Sequence, residues 1–184
     1  MSVAFTKEND AEAVAADLPD RPIPTHANLV TAAGLARIEA ALAAAKADYA
    51  AAQASDAISS DRTAMARATR DLRYWSARRA TAQLVDRRPT DGTIGFGAEV
   101  GIERADGRRQ TYAIVGDDEA DPAQGSVSHV SPFARAVGGR QVGDVVMLAG
   151  QEVEIVSMRW PETLKDGSQS GDQGSGGRDV PGRR

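Results

Sequence analysis

Two runs of small and apolar residues, each repeating at alternating intervals of three and four, restrict this chain more than any other feature. The first passes through Leu35, Ile38, Leu42, Ala45, Tyr49 and Ala52, and the second through Met65, Ala68, Leu72, Trp75, Arg79 and Ala82. Such spacing is a heptad seam, which lays one stripe of a helix against a partner helix. Arg79 is the one poor fit in the second stripe. Thr31 offers a hydroxyl to cap the first helix, and the segment Ser55-Asp56-Ala57-Ile58-Ser59-Ser60-Asp61 between the runs is rich in turn-forming and capping residues. Two seams joined by a short polar turn predict an antiparallel helical hairpin, a small coiled coil. Thr31 and Val85 lie about equally far from the turn near Ile58, so the arms match. Each has roughly 25 residues and projects nearly 40 Å at about 1.5 Å per residue. Alanine dominates residues 32–57, which favours helix while burying little surface.

Arg87-Arg88-Pro89-Thr90-Asp91-Gly92 breaks the helical pattern, and beyond it the period becomes two. Strands are predicted at Thr93 to Arg104 and Gln110 to Val115, joined by an Asp106-Gly107 turn, and at Ser126 to Val130, Val145 to Leu148 and Val153 to Met158. Ser131-Pro132-Phe133-Ala134-Arg135-Ala136-Val137, followed by two glycines, carries an N-cap, a proline at the first helical position and a glycine stop. The expectation is therefore an α+β chain with four parts. Residues 1–28 form an acidic, proline-broken disordered lead, 29–88 the coiled-coil hairpin, 91–160 a mainly antiparallel β domain with one short helix, and 161–184 a Gly/Ser/Asp-rich flexible tail.

With 184 residues and only 4% aromatics, the chain suits two modest units better than one large core. It has no cysteine, which excludes disulfides, thiolate metal sites and thiol nucleophiles. No long apolar run or signal peptide is visible, so a cytoplasmic protein with no membrane partner is expected. The net charge of −4 disfavours a dedicated nucleic-acid binder.

Four blocks in the second unit resemble the C-terminal domain of the GreA/GreB transcript-cleavage factors: Ile114-Val115-Gly116-Asp117-Asp118-Glu119-Ala120-Asp121, Gly125-Ser126-Val127-Ser128, Ser131-Pro132-Phe133-Ala134-Arg135-Ala136 and Gly143-Asp144-Val145-Val146. Leu29-Val30-Thr31 with Gly34-Leu35, and Ala82-Gln83-Leu84-Val85-Asp86, are similar to the ends of that family's hairpin. The resemblance covers roughly Val30 to Ser157. It implies an FKBP-like second domain that grips the rim of the secondary channel of bacterial RNA polymerase, while the hairpin enters the channel. It also implies polymerase contact at Ser131 and Pro132, with Phe133 and Arg135 close behind. Val130 departs from the polar or acidic residue usual there. In the family, acidic residues at the hairpin tip help hold a metal ion that drives hydrolysis of backtracked RNA. The family's acidic pair, three apart and followed by Asn-Ala and an aromatic, has no counterpart between Ser55 and Arg70, where Asp56 and Asp61 are the only candidate tip acids. The hairpin is also several turns short, as in the short-hairpin relative Rnk.

The chain is accordingly expected to regulate elongation without strong cleavage stimulation. It would be no enzyme itself, hold no metal or cofactor of its own beyond a share in the polymerase Mg2+, and meet nucleic acid only through the polymerase. The alternatives are an active cleavage factor using Asp56 and Asp61, or a Rnk-like regulator of another protein. Ordinary capping explains Asp56 and Asp61 better than metal ligation does, and the run Asp117, Asp118, Glu119 and Asp121 reads as a solvated loop. Arg67, Arg70, Arg73, Arg78 and Arg79 make the second helix basic, either as a contact face or as plain solvated charge. Tyr74 and Trp75 are placed to close the base of the hairpin or pack it on the second unit. His26 and His129 stand far apart without ligand partners nearby in sequence. Gly95-Phe96-Gly97 lacks the lysine and hydroxyl of a phosphate loop. Phe96, Tyr112 and Phe133 are too few for an aromatic prolyl-isomerase pocket. A hairpin that satisfies its own seam predicts a monomer.

Overall fold

A computed structural model describes residues 18–54, 60–162 and 164–166. Strand β1 (Asn28–Val30) leads into helix α1 (Ala32–Ala54), helix α2 (Ser60–Thr81) returns, and strand β2 (Ala82–Leu84) follows at once. The Thr31 side chain accepts a hydrogen bond from the Gly34 amide at 2.9 Å, satisfying one of the orphan donors of the first turn. Along α1 the expected seam faces inward: Ile38 and Ala45 are buried, and Leu35, Leu42, Tyr49 and Ala52 half-buried. On α2 the matching residues Met65, Ala68, Leu72 and Trp75 are buried or half-buried, and Arg79 is exposed.

The base of the hairpin differs from expectation. Residues 82–84, which continue the second seam in the sequence, form a strand paired parallel with residues 28–30, and the Val85 amide donates to the Val30 carbonyl. Each arm is thus 23 or 22 residues long, or about 35 Å. A heptad pattern cannot report this ending, because Ala82 suits a helix seam and a strand equally well.

The second unit is a five-stranded sheet of order β6-β5-β4-β8-β7: β4 (Glu99–Arg104), β5 (Arg109–Val115), β6 (Ser126–Ser128), β7 (Val145–Leu148) and β8 (Gln151–Arg159). Three of its four pairings are antiparallel and β5–β6 is parallel. Helix α3 (Pro132–Val137) lies across one face, and its Ala134 and Val137 join Ile94, Val100, Ile102, Ile114, Val146, Val153 and Ile155 in the core. Burying each Ile or Val removes apolar surface worth roughly 1.5–3 kcal/mol, so this compact cluster is the main driving force for the unit.

Two strands are shorter than the alternation suggests. Residues 93–98 precede β4 as a loop, in which the Ile94 amide donates to the Arg140 carbonyl and the Gly97 amide to the Ile114 carbonyl, with Gly97 at φ +88° turning the chain. Strand β6 stops at Ser128, where the Val130 amide turns to the Ser128 hydroxyl. In the two outer segments, Asp20 and Arg21 lie against Arg73 and Asp71 of α2, and β9 (Lys165–Asp166) pairs with β3 (Arg87–Arg88).

Candidate functional site

The β5–β6 connection carries Gly116, Asp117, Asp118, Glu119 and Asp121, and it meets the base of the hairpin rather than water. The solvated-loop expectation is therefore corrected for three of the four acids. Asp118 accepts from the Tyr74 hydroxyl at 2.6 Å and from Arg78 Nε at 2.5 Å. Arg78, expected on a basic outer face, has a side chain only 1% exposed, and its Nη2 also lies 3.5 Å from Asp117. That second approach supplies charge attraction without hydrogen-bond alignment, since Nη2 has no hydrogen-bond partner. Glu119 accepts from the Thr31 hydroxyl at 2.6 Å, the same hydroxyl that caps α1, and so places a carboxylate beside the positive end of that helix.

Two glycines make the approach possible. A Cβ on Gly116 would stand 2.5 Å from the Leu29 carbonyl oxygen, and one on Gly34 would stand 2.6 Å from Glu119 Oε2. Asn28, itself buried, ties β1 to α2 by donating to the Arg78 carbonyl at 2.7 Å.

The histidines, distant in sequence, converge here. His26 Nε2 is 2.7 Å from Asp117 Oδ2, and the His26 and His129 rings meet edge to face at 5.4 Å. Burial favours the neutral form of Asp117, but hydrogen bonds from Ser128 and His26 and the charges of the two histidines outweigh it and hold the carboxyl below its ordinary pKa. Burial pushes the His129 pKa down. Tyr74 is raised to about 12 by burial and by its hydrogen bond to Asp118. The Arg21 guanidinium covers the Tyr74 ring at 3.7 Å, so residues assigned to the lead complete the junction. Sequence spacing gave no sign of the convergence of His26, Arg78 and Asp117, which lie on three separate segments.

The expected docking residues form a second place of interest. Ser131 caps α3, its hydroxyl accepting from the Ala134 amide at 3.1 Å, and Pro132 occupies the first turn. Pro132 and Arg135 are exposed. Phe133 is half-buried and packs on Tyr112 with ring centroids 4.9 Å apart. Of the candidate tip acids, Asp56 lies outside the described residues, while Asp61 falls in the first turn of α2 instead of in the connecting turn. Among the described residues no group of three or more His, Asp or Glu could hold a metal ion, and no helix is long and apolar enough to cross a membrane.

Residues 89–158, the sheet unit together with the acidic junction loop and the α3 turn, match the family model described as transcription elongation factor, GreA/GreB, C-term. That stretch resembles the C-terminal domain of the GreA/GreB factors. Transcription elongation factor GreB of Neisseria meningitidis serogroup A is 40% identical over 97 residues, covering 50% of this chain and 60% of the relative. Transcription elongation factor GreA of Methylococcus capsulatus is 44% identical over 91 residues, covering 46% and 58%. The chain thus spans about three-fifths of the length of the curated GreA/GreB relatives it matches. The crystal structure of GreA factor homolog 1 of Thermus thermophilus is 21% identical, covers 73% of this chain and 99% of that one, and has a TM-score of 0.35, a loose overall superposition.

Proposed function

We propose that this chain binds bacterial RNA polymerase at the secondary channel and regulates transcription elongation. The match of residues 89–158 to the GreA/GreB C-terminal family model is the observation that carries the reading. Docking falls to the α3 turn, where Ser131 fixes the backbone, Pro132 and Arg135 face solvent, and Phe133 braces the helix on Tyr112. The junction of Arg78 with Asp117 and Asp118 supports a further step. It fixes the direction in which the hairpin leaves the docked domain, so that a lever of about 35 Å is aimed before the polymerase is met.

The departure of the tip sequence and the short arms favour a factor that occupies the channel without strong cleavage stimulation. Any metal used there belongs to the polymerase. The test is RNA cleavage in a purified backtracked elongation complex, with the protein alone and in excess over a known cleavage factor. The expected result is no acceleration alone and suppression of the known factor. Acceleration that Asp56→Ala/Asp61→Ala abolishes would establish the active-factor reading instead. No effect in either format would remove the channel from the account.

A further inference from the structure

The end of the sheet away from the junction carries a surface that neither docking at α3 nor the junction uses. Strand β7 is a terminal strand of the sheet, and its sequence Val145-Val146-Met147-Leu148 contains no charge and no proline. Edge strands ordinarily carry such devices, because their free N–H and C=O groups template the addition of another strand. Val146 points into the core, while Val145 and Met147 turn outward and are 60% and 59% exposed, with Val142 beside them at 52%.

The unpaired charge on the same face is of one sign. Glu154 lies directly across from Val145 and Glu152 across from Met147 on β8. Both glutamates are exposed, and neither has an ion-pair partner among the described residues. On the next strand, Glu103 opposite Glu154 is already neutralised by Arg109 at 2.6 Å. The open face therefore pairs two apolar side chains at the edge with two unbalanced carboxylates one strand further in.

We infer that β7 is a docking edge for an extended segment of a partner protein, one that alternates apolar residues with lysine or arginine on the face it shares with Val145 and Met147. Main-chain bonds to the open edge supply affinity, and alternate side chains supply selection. A strand added about 4.8 Å beyond β7 lies about 10 Å from β8, a span that an extended lysine and a glutamate close between them. Nucleic acid and anionic lipid are disfavoured, because the two free carboxylates repel phosphate. The inference is independent of the polymerase reading, which rests on the α3 turn.

The test uses the full chain and three fluorescein-labelled peptides: an eight-residue peptide alternating valine and lysine, its valine–glutamate counterpart, and a helix-forming leucine–lysine peptide. Binding is followed by anisotropy at low and high salt, with backbone amide NMR to locate it. The valine–lysine peptide is expected to bind, shift the β7 amides and weaken with salt. Met147→Lys should reduce its affinity about tenfold or more, by removing apolar contact and placing like charge against the peptide. Glu152→Gln/Glu154→Gln should flatten the salt dependence. Val145→Thr, a mild change at an exposed strand position, serves as a second variant and should weaken binding with the fold unchanged by circular dichroism. Equal binding of the valine–glutamate peptide, preference for the helical peptide, or no effect of Met147→Lys and Val145→Thr would each overturn the inference. So would a concentration-dependent dimer in sedimentation that Met147→Lys abolishes, since the edge would then serve a second copy of this chain.

Discussion

Arg78→Met tests whether the junction couples the two units. The substitution keeps a long apolar stem and removes the cation, leaving Asp118 (side chain 9% exposed) and Asp117 (20%) without their shared partner. Breaking a buried ion pair from one side costs about 3–5 kcal/mol, and the partial exposure of Asp117 places this case near about 3 kcal/mol. Asp118→Asn retains an acceptor for the Tyr74 hydroxyl and leaves Arg78 its approach to Asp117, so about 1.5–2 kcal/mol is expected. If the two groups act through each other, the double variant should be less damaged than the two single costs together by about 1–2 kcal/mol. The two tryptophans make the assay specific, because Trp75 reports on the hairpin and Trp160 on the sheet unit, where it packs against the core. Urea unfolding at pH 7.5, followed in single-tryptophan backgrounds, should give coincident transitions with Arg78 present. With Arg78→Met, the Trp75 transition should move to lower urea and separate from that of Trp160. A cost below about 0.5 kcal/mol with transitions still coincident would refute the idea that this ion pair joins the units.

Gly116→Ala should cost at least about 2 kcal/mol in the same assay, since its Cβ would stand 2.5 Å from a backbone oxygen that can yield only if β1 moves. His129 has a lowered pKa in the folded state, so the unfolded chain binds its proton more readily. Its contribution to stability should be intact above the ordinary value of 6.5 and decline as pH falls below it; His129→Gln should flatten the stability profile between pH 7 and 5. The two-residue turn joining β7 and β8 holds Ala149 at φ +49° before Gly150 at φ +79°, and Ala149→Gly should raise stability by about 0.5–1 kcal/mol in thermal melts by relieving the left-handed backbone. Ser131→Ala removes the cap of α3 and should cost about 1 kcal/mol; Arg135→Glu should leave stability unchanged and weaken binding to purified RNA polymerase.

Periodicity alone determined much of this protein. Heptad spacing through Ile38 and Ala45 gave the hairpin, because a helix stripe must bury itself whatever its surroundings, and the Ser131-Pro132 start of α3 was written in local capping chemistry. The ordered blocks from Ile114 to Val146 carried the family resemblance. What lay beyond the sequence depended on which segments meet in space. Ala82–Leu84 became a strand because β1 was there to pair with it, a long-range hydrogen-bonding choice that no local propensity expresses. A row of acids reads as a solvated loop until a buried arginine forty residues earlier in the chain is set against it, and only packing made Arg78 and Asp118 neighbours at 2.5 Å. Likewise, His26 and His129 became a pair because the lead and the sheet close on the same loop. Local pattern decided the elements, whereas burial, which fixes the value of every charge at the junction, was decided by the tertiary structure.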